Sequence, residues 1–309
     1  MATILVWTIQ LLLIPALSPF FVGVTRKIKA RLQGRQGASL LQPYRDLLKL
    51  LRKDEVISGD ASWVFRGTPY LLFSLTVVVG ASIPLVSTAL RNPVTGDFLV
   101  VVYLLALGTF FLALAGIDTG GAFGGFGASR EMMVAALAEG GLIVSLLTLA
   151  LLSRTTDPFA IAGSVASLDF ADLPPVALAF VGFFVALLAE TGRYPFDNPA
   201  THLELTMIHE AMILEYSGKR LALIEWSAAN KYLIFMGLGA NLFFPWGLSD
   251  SLAFGQIAVS CAVFVGKILM FCAAVAVIES TIAKFRLFRL PDLLFTSFVI
   301  SIIAIGLID

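Results

Sequence analysis

Five carboxylates stand within or beside long apolar stretches of this sequence: Asp118, Glu131, Glu139, Glu190 and Glu279. Four more, Asp197, Glu204, Glu210 and Glu215, cluster in the segment after Glu190. A carboxylate held away from water resists carrying its charge, which suits it to loading and releasing a proton. Lys231 and Lys267 are the natural counter-charges. Lys267 lies in the middle of an apolar stretch, where an ammonium must pair, lose its proton or face water. Any one of these acids could serve only as a hydrogen-bond partner for a neighbouring helix. Their convergence on one side of the chain points instead to a proton or quinone-linked path.

Other chemistries find little support. His202 and His209 are seven apart and would share a helix face beside Glu210, but the string His209-Glu210-Ala211-Met212-Ile213 lacks the second histidine of a zinc-protease motif. A structural or proton-relaying histidine fits better, and no metal site is expected. Cys261 and Cys272 are about 16 Å apart along a helix, too far to bridge within it and without the paired spacing of cluster ligands. The Gly-rich run Gly120–Gly127 has no strand before it and no Gly-Lys-Ser/Thr after it, so it is not a phosphate loop. Close helix packing or a flexible turn is the sounder reading of that run, and residues 118–130 are expected to form a bend between spans. No nucleophile–base pair is visible.

The elements that must position these acids are membrane spans. The chain is 58% hydrophobic and only 14% charged, too little charge to keep the surface of a soluble domain of 309 residues wet. The apolar residues fall into eight blocks of bilayer-spanning length, near 3–25, 69–90, 98–117, 131–153, 174–191, 228–246, 254–279 and 292–308. The first is too long for a signal peptide and lacks a basic start, so it is expected to remain as a span. This predicts an all-α polytopic bundle, one integral membrane domain over 1–309.

Loops 26–66, 118–130, 192–227 and 280–291 hold 17 Lys/Arg against 2 in the alternate loops, which places the large loops in the cytoplasm and both termini outside a cytoplasmic (inner) membrane. Within the first loop, residues 40–53 mix leucines with Arg45, Lys49, Arg52 and Lys53, as an amphipathic helix at the membrane surface would, with a start at Pro43. Residues 199–216 are a second helical candidate. With a net charge of +0, nothing suggests nucleic-acid binding.

Three strings carry a family resemblance. Residues 189–197 read AETGRYPFD, 215–218 read EYSG, and 41–51 read LQPYRDLLKLL. Together, and over nearly the whole chain, they resemble the membrane-subunit family shared by respiratory complex I and membrane-bound [NiFe] hydrogenases. Residues 116–131, GIDTGGAFGGFGASRE, and 278–287, IESTIAKFRL, with the triplet Tyr44-Arg45-Asp46, are similar to its hydrogenase branch, the membrane subunits of the formate hydrogenlyase type.

The resemblance implies a membrane heel beneath a peripheral redox arm. Glu139, Glu190, Glu204 and Glu215 fall on the family's acidic funnel. Arg45, Asp46, Arg193, Pro195, Phe196, Asp197 and Tyr216 fall on its cavity-lining and docking loops. Asp118 and Glu279 match hydrogenase-branch positions. Ala200 and His202 stand where the family often has acids, and the stretch before EYSG is about three residues longer.

The resemblance further implies a non-catalytic subunit that couples electron transfer to proton or sodium translocation, binding no cofactor itself. The [NiFe] centre and iron–sulfur clusters would belong to partners: hydrogenase-like large and small subunits, an iron–sulfur protein and antiporter-like membrane subunits. Two alternatives stand beside it, a quinone-site subunit of a quinone-reducing dehydrogenase and a stand-alone ion-coupled transporter.

Overall fold

A computed structural model describes residues 2–89, 96–168, 172–198, 207–251 and 253–308. Its regular elements are helices: α1 (Ala2–Leu32), α2 (Gln42–Leu51), α3 (Trp63–Ala81), α4 (Phe98–Asp118), α5 (Ala122–Ser153), α6 (Pro158–Val165), α7 (Leu173–Glu190), α8 (His209–Ile213), α9 (Gly218–Leu238), α10 (Phe254–Thr281) and α11 (Leu290–Gly306). Seven segments are long and apolar enough to cross a bilayer, namely α1, α3, α4, α5, α7, α10 and Leu287–Gly306. The chain is thus an all-α polytopic membrane bundle.

The eighth expected span, 228–246, falls on the second half of α9 and the π-turn Gly239–Phe243 that continues it. This helix carries Lys219, Arg220, Glu225 and Lys231, too many charges for a lipid-facing span. It can be polar because it is interior: every residue from Tyr232 to Phe243 is buried. Elsewhere the helices run beyond the apolar blocks, α1 to Leu32 and α3 from Trp63. Hydropathy marks the slab, whereas a helix continues into water as long as its backbone bonds are made.

The Gly-rich segment shows both expected forms, with a shorter bend than expected. Only 119–121 bend, with Gly120 at φ +69°, and α5 begins at Ala122. Gly124 and Gly127 are packing surfaces. A Cβ on Gly124 would come within 1.9 Å of the Gly116 carbonyl oxygen, and one on Gly127 within 2.8 Å of the Ile208 oxygen. Small residues let backbones approach where lipid supplies no hydrophobic drive between helices. Gly124→Ala therefore forces the α4–α5 hairpin apart, at a cost of about 1–3 kcal/mol for an overpacked contact. The check is a thermal melt of the purified protein, and an unchanged midpoint would refute the contact.

Two prolines inside helices leave carbonyls without their usual donors. Pro19 frees the carbonyl of Pro15, which accepts the Trp226 indole N–H at 2.9 Å. Pro69 frees that of Phe65, which accepts the Tyr216 hydroxyl at 2.9 Å while the two rings stack at 3.9 Å. Both donors come from the segment 216–226, so the kinks in α1 and α3 are tied to α9. Opposite them, Ser297 donates to the Gly182 carbonyl at 3.0 Å and locks α11 on α7.

Residues 33–41 fold back along α1. The Leu40 carbonyl oxygen lies where a Gly23 side chain would be, and the Tyr44 hydroxyl donates to the Ala16 carbonyl. The amphipathic helix expected at 40–53 is α2, with proline in its first turn. It lies level with the last apolar turns of α1, just before Arg26, the first charge of that helix.

Candidate functional site

Between α1, α2, α3, α4 and α9 the bundle encloses a cavity of about 370 Å³. One wall is apolar, with Leu72, Leu75, Leu104, Leu105 and Leu112. The other end gathers charge from distant parts of the chain. Asp46, Glu131, Glu190, Asp197, Glu210 and Glu225 line the cavity with Arg26, Arg193 and Lys231, six carboxylates to three cations, and Lys284 pairs with Asp197 from outside the lining.

Glu190 ends α7, so its backbone turns into the 191–197 loop while its side chain stays in the bundle. Its Oε2 pairs with Lys231 Nζ of α9 at 2.8 Å, and that ammonium also donates to Thr109 Oγ1 of α4 at 3.0 Å. Its Oε1 is buried and accepts no hydrogen bond from the described residues. A buried polar atom without a partner is rare and calls for an explanation such as a proton, a water or an ion.

Three residues on, Arg193 donates to Glu279 Oε1 of α10 at 3.2 Å and lies 4.2 Å from the Tyr232 ring centroid. Glu279 is shared, because Lys29 of α1 reaches its Oε2 at 2.9 Å. The Tyr232 hydroxyl and Thr25 Oγ1 are 3.1 Å apart and complete this cluster. Asp197 is the third anchor. Its Oδ1 accepts from Lys284 Nζ at 2.7 Å and its Oδ2 from the amides of Ile208 and His209 at 3.3 and 3.1 Å. Phe285 N–H donates to the Pro195 carbonyl, and Phe196 is buried beneath. The AETGRYPFD loop is thus pinned by charge at three points, to α9, to α10 and to the segment after α10.

Of the residues expected from sequence, the cavity brings together Asp46, Glu190, Arg193 and Asp197, with Lys231 and the neighbouring Glu131, His209 and Glu210. Glu279 joins them through Arg193. Glu139 is half-buried two turns along α5 from Glu131 and does not line the cavity. Asp118 accepts the amides of Ser62 and Phe65 and so ties the start of α3. Glu215 is exposed, and Tyr216 serves the α3 kink, its phenol pushed upward by burial. Arg45 points outward from α2. Glu204 and His202 lie outside the described residues.

Lys267, expected as a counter-charge to the acids, stands apart from the cavity. Its ammonium donates to the carbonyls of Ala240 and Phe244 at 3.2 and 2.6 Å and to Asn241 Oδ1 at 2.9 Å, under the Trp246 ring. The π-turn breaks the regular helix ladder and turns these oxygens toward it. Asn241 in turn donates to the carbonyls of Pro84 and Leu85, which holds the end of α3.

Sequence reading missed Lys29, Thr109, Tyr232 and Lys284, whose partners lie far along the chain. It also missed Asn230, which accepts from Ser18 at 2.6 Å and donates to Thr76 at 3.2 Å between α1, α9 and α3. An amide in an otherwise apolar run was the available signal.

Burial lowers the His209 imidazole below its ordinary range; the Lys231 charge adds to this and Asp197 opposes it. A histidine with a lowered folded value contributes stability that is complete above the unfolded value, about 6.5, and is lost as pH falls below it. Amide protection in 207–217, after allowing for the slower intrinsic exchange in acid, is therefore expected to weaken between about pH 7.5 and about 5.5, and to weaken less in His209→Gln. An equal response in both proteins would refute this.

A polytopic bundle that buries carboxylates and pins a loop over them defines the class, a helical membrane subunit with a charged interior cavity. The comparisons make the class particular. The chain matches the family model described as NADH dehydrogenase over residues 4–308, and it belongs to that family of complex I-like membrane subunits. It is 31% identical to formate hydrogenlyase subunit 4 of Escherichia coli (strain K12) over 296 residues, covering 96% of this chain and 95% of that one. It is 35% identical to hydrogenase-4 component C of the same organism, over 96% and 92%. The fold matches a chain in the structure of the membrane-bound sulfane sulfur reductase, an archaeal respiratory membrane complex, with a TM-score of 0.85 over 99% of both chains at 20% identity.

Proposed function

We propose that this chain is the membrane coupling subunit of a hydrogenase-type, complex I-like assembly. It would anchor a peripheral redox arm and link electron transfer to proton or sodium movement. The observation that carries this reading is the Glu190–Lys231 pair. It lies at the hinge between α7 and the pinned loop, on the wall of an acidic cavity, with one carboxylate oxygen unpartnered. Displacing the loop pulls Glu190 from Lys231 and leaves a buried carboxylate without its cation.

The electron carriers belong to partners. An iron–sulfur cluster needs four protein ligands, mostly thiolates, and the chain has two cysteines. The likeness to two hydrogenase-complex subunits favours hydrogenase large and small subunits, an iron–sulfur protein and antiporter-like membrane subunits as those partners. The lysine and arginine bias of the loops supports a cytoplasmic-membrane orientation with both termini outside.

The quinone reading keeps one observation in its favour, the apolar wall of the cavity. At about 370 Å³ the cavity reaches the lower end of the range for small-molecule sites. Against it, Lys231, the ammonium donor on the cavity wall, is already held by Glu190 and Thr109. The experiment is purification of the tagged chain in mild detergent, with identification of its companions and assay of hydrogen evolution from a reduced dye. Redox partners with hydrogen evolution support the proposal. Redox partners with quinone reduction and no hydrogen evolution replace it with the quinone reading. A chain that purifies alone and transports ions in liposomes replaces it with the transporter.

A further inference from the structure

The helix α2 carries a second feature that the coupling reading does not use. At about 100° per residue, Arg45, Lys49 and Arg52 fall within about 60° of one another, opposite Pro43 and Leu47. Pro43 and Leu47 are buried against the bundle, and the three basic residues are exposed. Lys53 follows directly. Arg45, Leu48, Lys49, Arg52 and Lys53 wall a shallow depression on the outer side of the helix. Among the described residues none of these four cations pairs with a carboxylate, whereas Asp46, on the other flank, is taken by Gln42 at 2.8 Å. Leu48, 54% exposed, lies beside the basic face, and Leu41, 51% exposed, precedes the helix.

Depth decides what can cover this face. The Leu40 carbonyl packs on Gly23 and Tyr44 reaches the Ala16 carbonyl, so α2 lies at the level where the apolar stretch of α1 ends. At that level a side chain meets phosphates above and acyl chains beside it. Clustered Lys and Arg on an amphipathic helix attract anionic headgroups, and an exposed leucine next to them has apolar chains to contact.

We propose that the outer face of α2 is a binding site for an anionic phospholipid of the surrounding bilayer. Arg45, Lys49 and Arg52 hold the phosphodiester, and Leu48 lies against an acyl chain. The inference needs only that the chain resides in a bilayer.

The test is native mass spectrometry of the full-length chain, with whatever subunits it retains. The protein is delipidated and offered phosphatidylglycerol and phosphatidylcholine together. The wild type is expected to retain phosphatidylglycerol over phosphatidylcholine by about tenfold or more, with a preference that falls as salt rises. In Arg45→Gln/Lys49→Gln/Arg52→Gln the preference should fall to near one. Arg45→Lys/Lys49→Arg/Arg52→Lys, which keeps the charge, should retain it and shows that the loss is not one of folding. Equal retention of both lipids by the wild type would overturn the proposal, as would an unchanged preference in the Gln variant. Full displacement by inorganic phosphate would make the site one for free phosphate. Loss of a co-purifying protein from the Gln variant, with lipid preference intact, would give the face to an acidic protein partner.

Discussion

Glu279→Gln is expected to destabilise the protein by about 3–5 kcal/mol, because it strands buried Arg193 and half-buried Lys29 at once. Glu279 is 2% exposed at its side chain and is the common anion of Lys29 and Arg193, at 2.9 and 3.2 Å. Taking away one partner of a buried pair leaves the other's desolvation uncompensated. Here the stranded groups also repel each other, and both lean on aromatic rings, Tyr194 and Tyr232, that cannot take up a full charge. Lys29→Met should cost less, since Glu279 keeps Arg193. The double variant Glu279→Gln/Lys29→Met should recover part of the loss, a coupling that a sum of independent effects lacks. Thermal melts of the four proteins in one detergent read this out. A Glu279→Gln midpoint no lower than that of Lys29→Met would show that the acid is not the hub.

The second large effect concerns coupling. In the assembled complex, Glu190→Gln is expected to reduce ion movement across the membrane at least about tenfold, as removal of a positioned proton-transfer group does, while electron transfer persists. The substitution keeps the volume and the contact with Lys231 but replaces the carboxylate by an amide, which cannot carry a proton. Lys231→Met should fail in the same assay for the opposite reason, since it leaves Glu190 buried without its cation. The measurement is quenching of a pH-sensitive dye in proteoliposomes holding the intact complex, with redox turnover followed in parallel. Wild-type quenching by Glu190→Gln would remove Glu190 from the path and move attention to Glu139 on α5, which stands apart from the cavity. A sodium-dependent signal that survives a protonophore would name the other ion.

The bundle was legible in the sequence because a bilayer imposes a length on every span, and seven of the eight apolar blocks became crossing helices. The eighth was blurred because α9 is interior, and an interior helix need not be apolar at its charged start. The Gly run read as close packing or a turn because glycine serves either; the turn is confined to 119–121, and Gly116 and Gly124 meet in the packing. The acids themselves were visible as costly residues in apolar surroundings, and the convergence of Glu190, Arg193 and Asp197 followed from their short string. Their partners were not visible. Lys29 and Glu279 are 250 positions apart, and Lys29 read as one more positive charge in a loop. Lys267 was grouped with the acids because an ammonium needs anionic company; the π-turn supplies carbonyl oxygens instead, and no residue pattern announces such a turn.

The indole that fills the gap left by Pro19 makes the protein its own optical instrument. Trp226 donates to the Pro15 carbonyl, tilts against Phe73 at 5.0 Å, and sits between Glu225 and Ser227, both on the cavity wall. Indole emission shifts with the polarity around the ring and with the loss of its hydrogen bond. The other three tryptophans, Trp7, Trp63 and Trp246, lie on other elements and can be replaced by phenylalanine. What remains is a single emitter placed where the kink of α1, the end of α3 and the charged cavity meet, so that filling the cavity or straightening the kink changes its colour without any label.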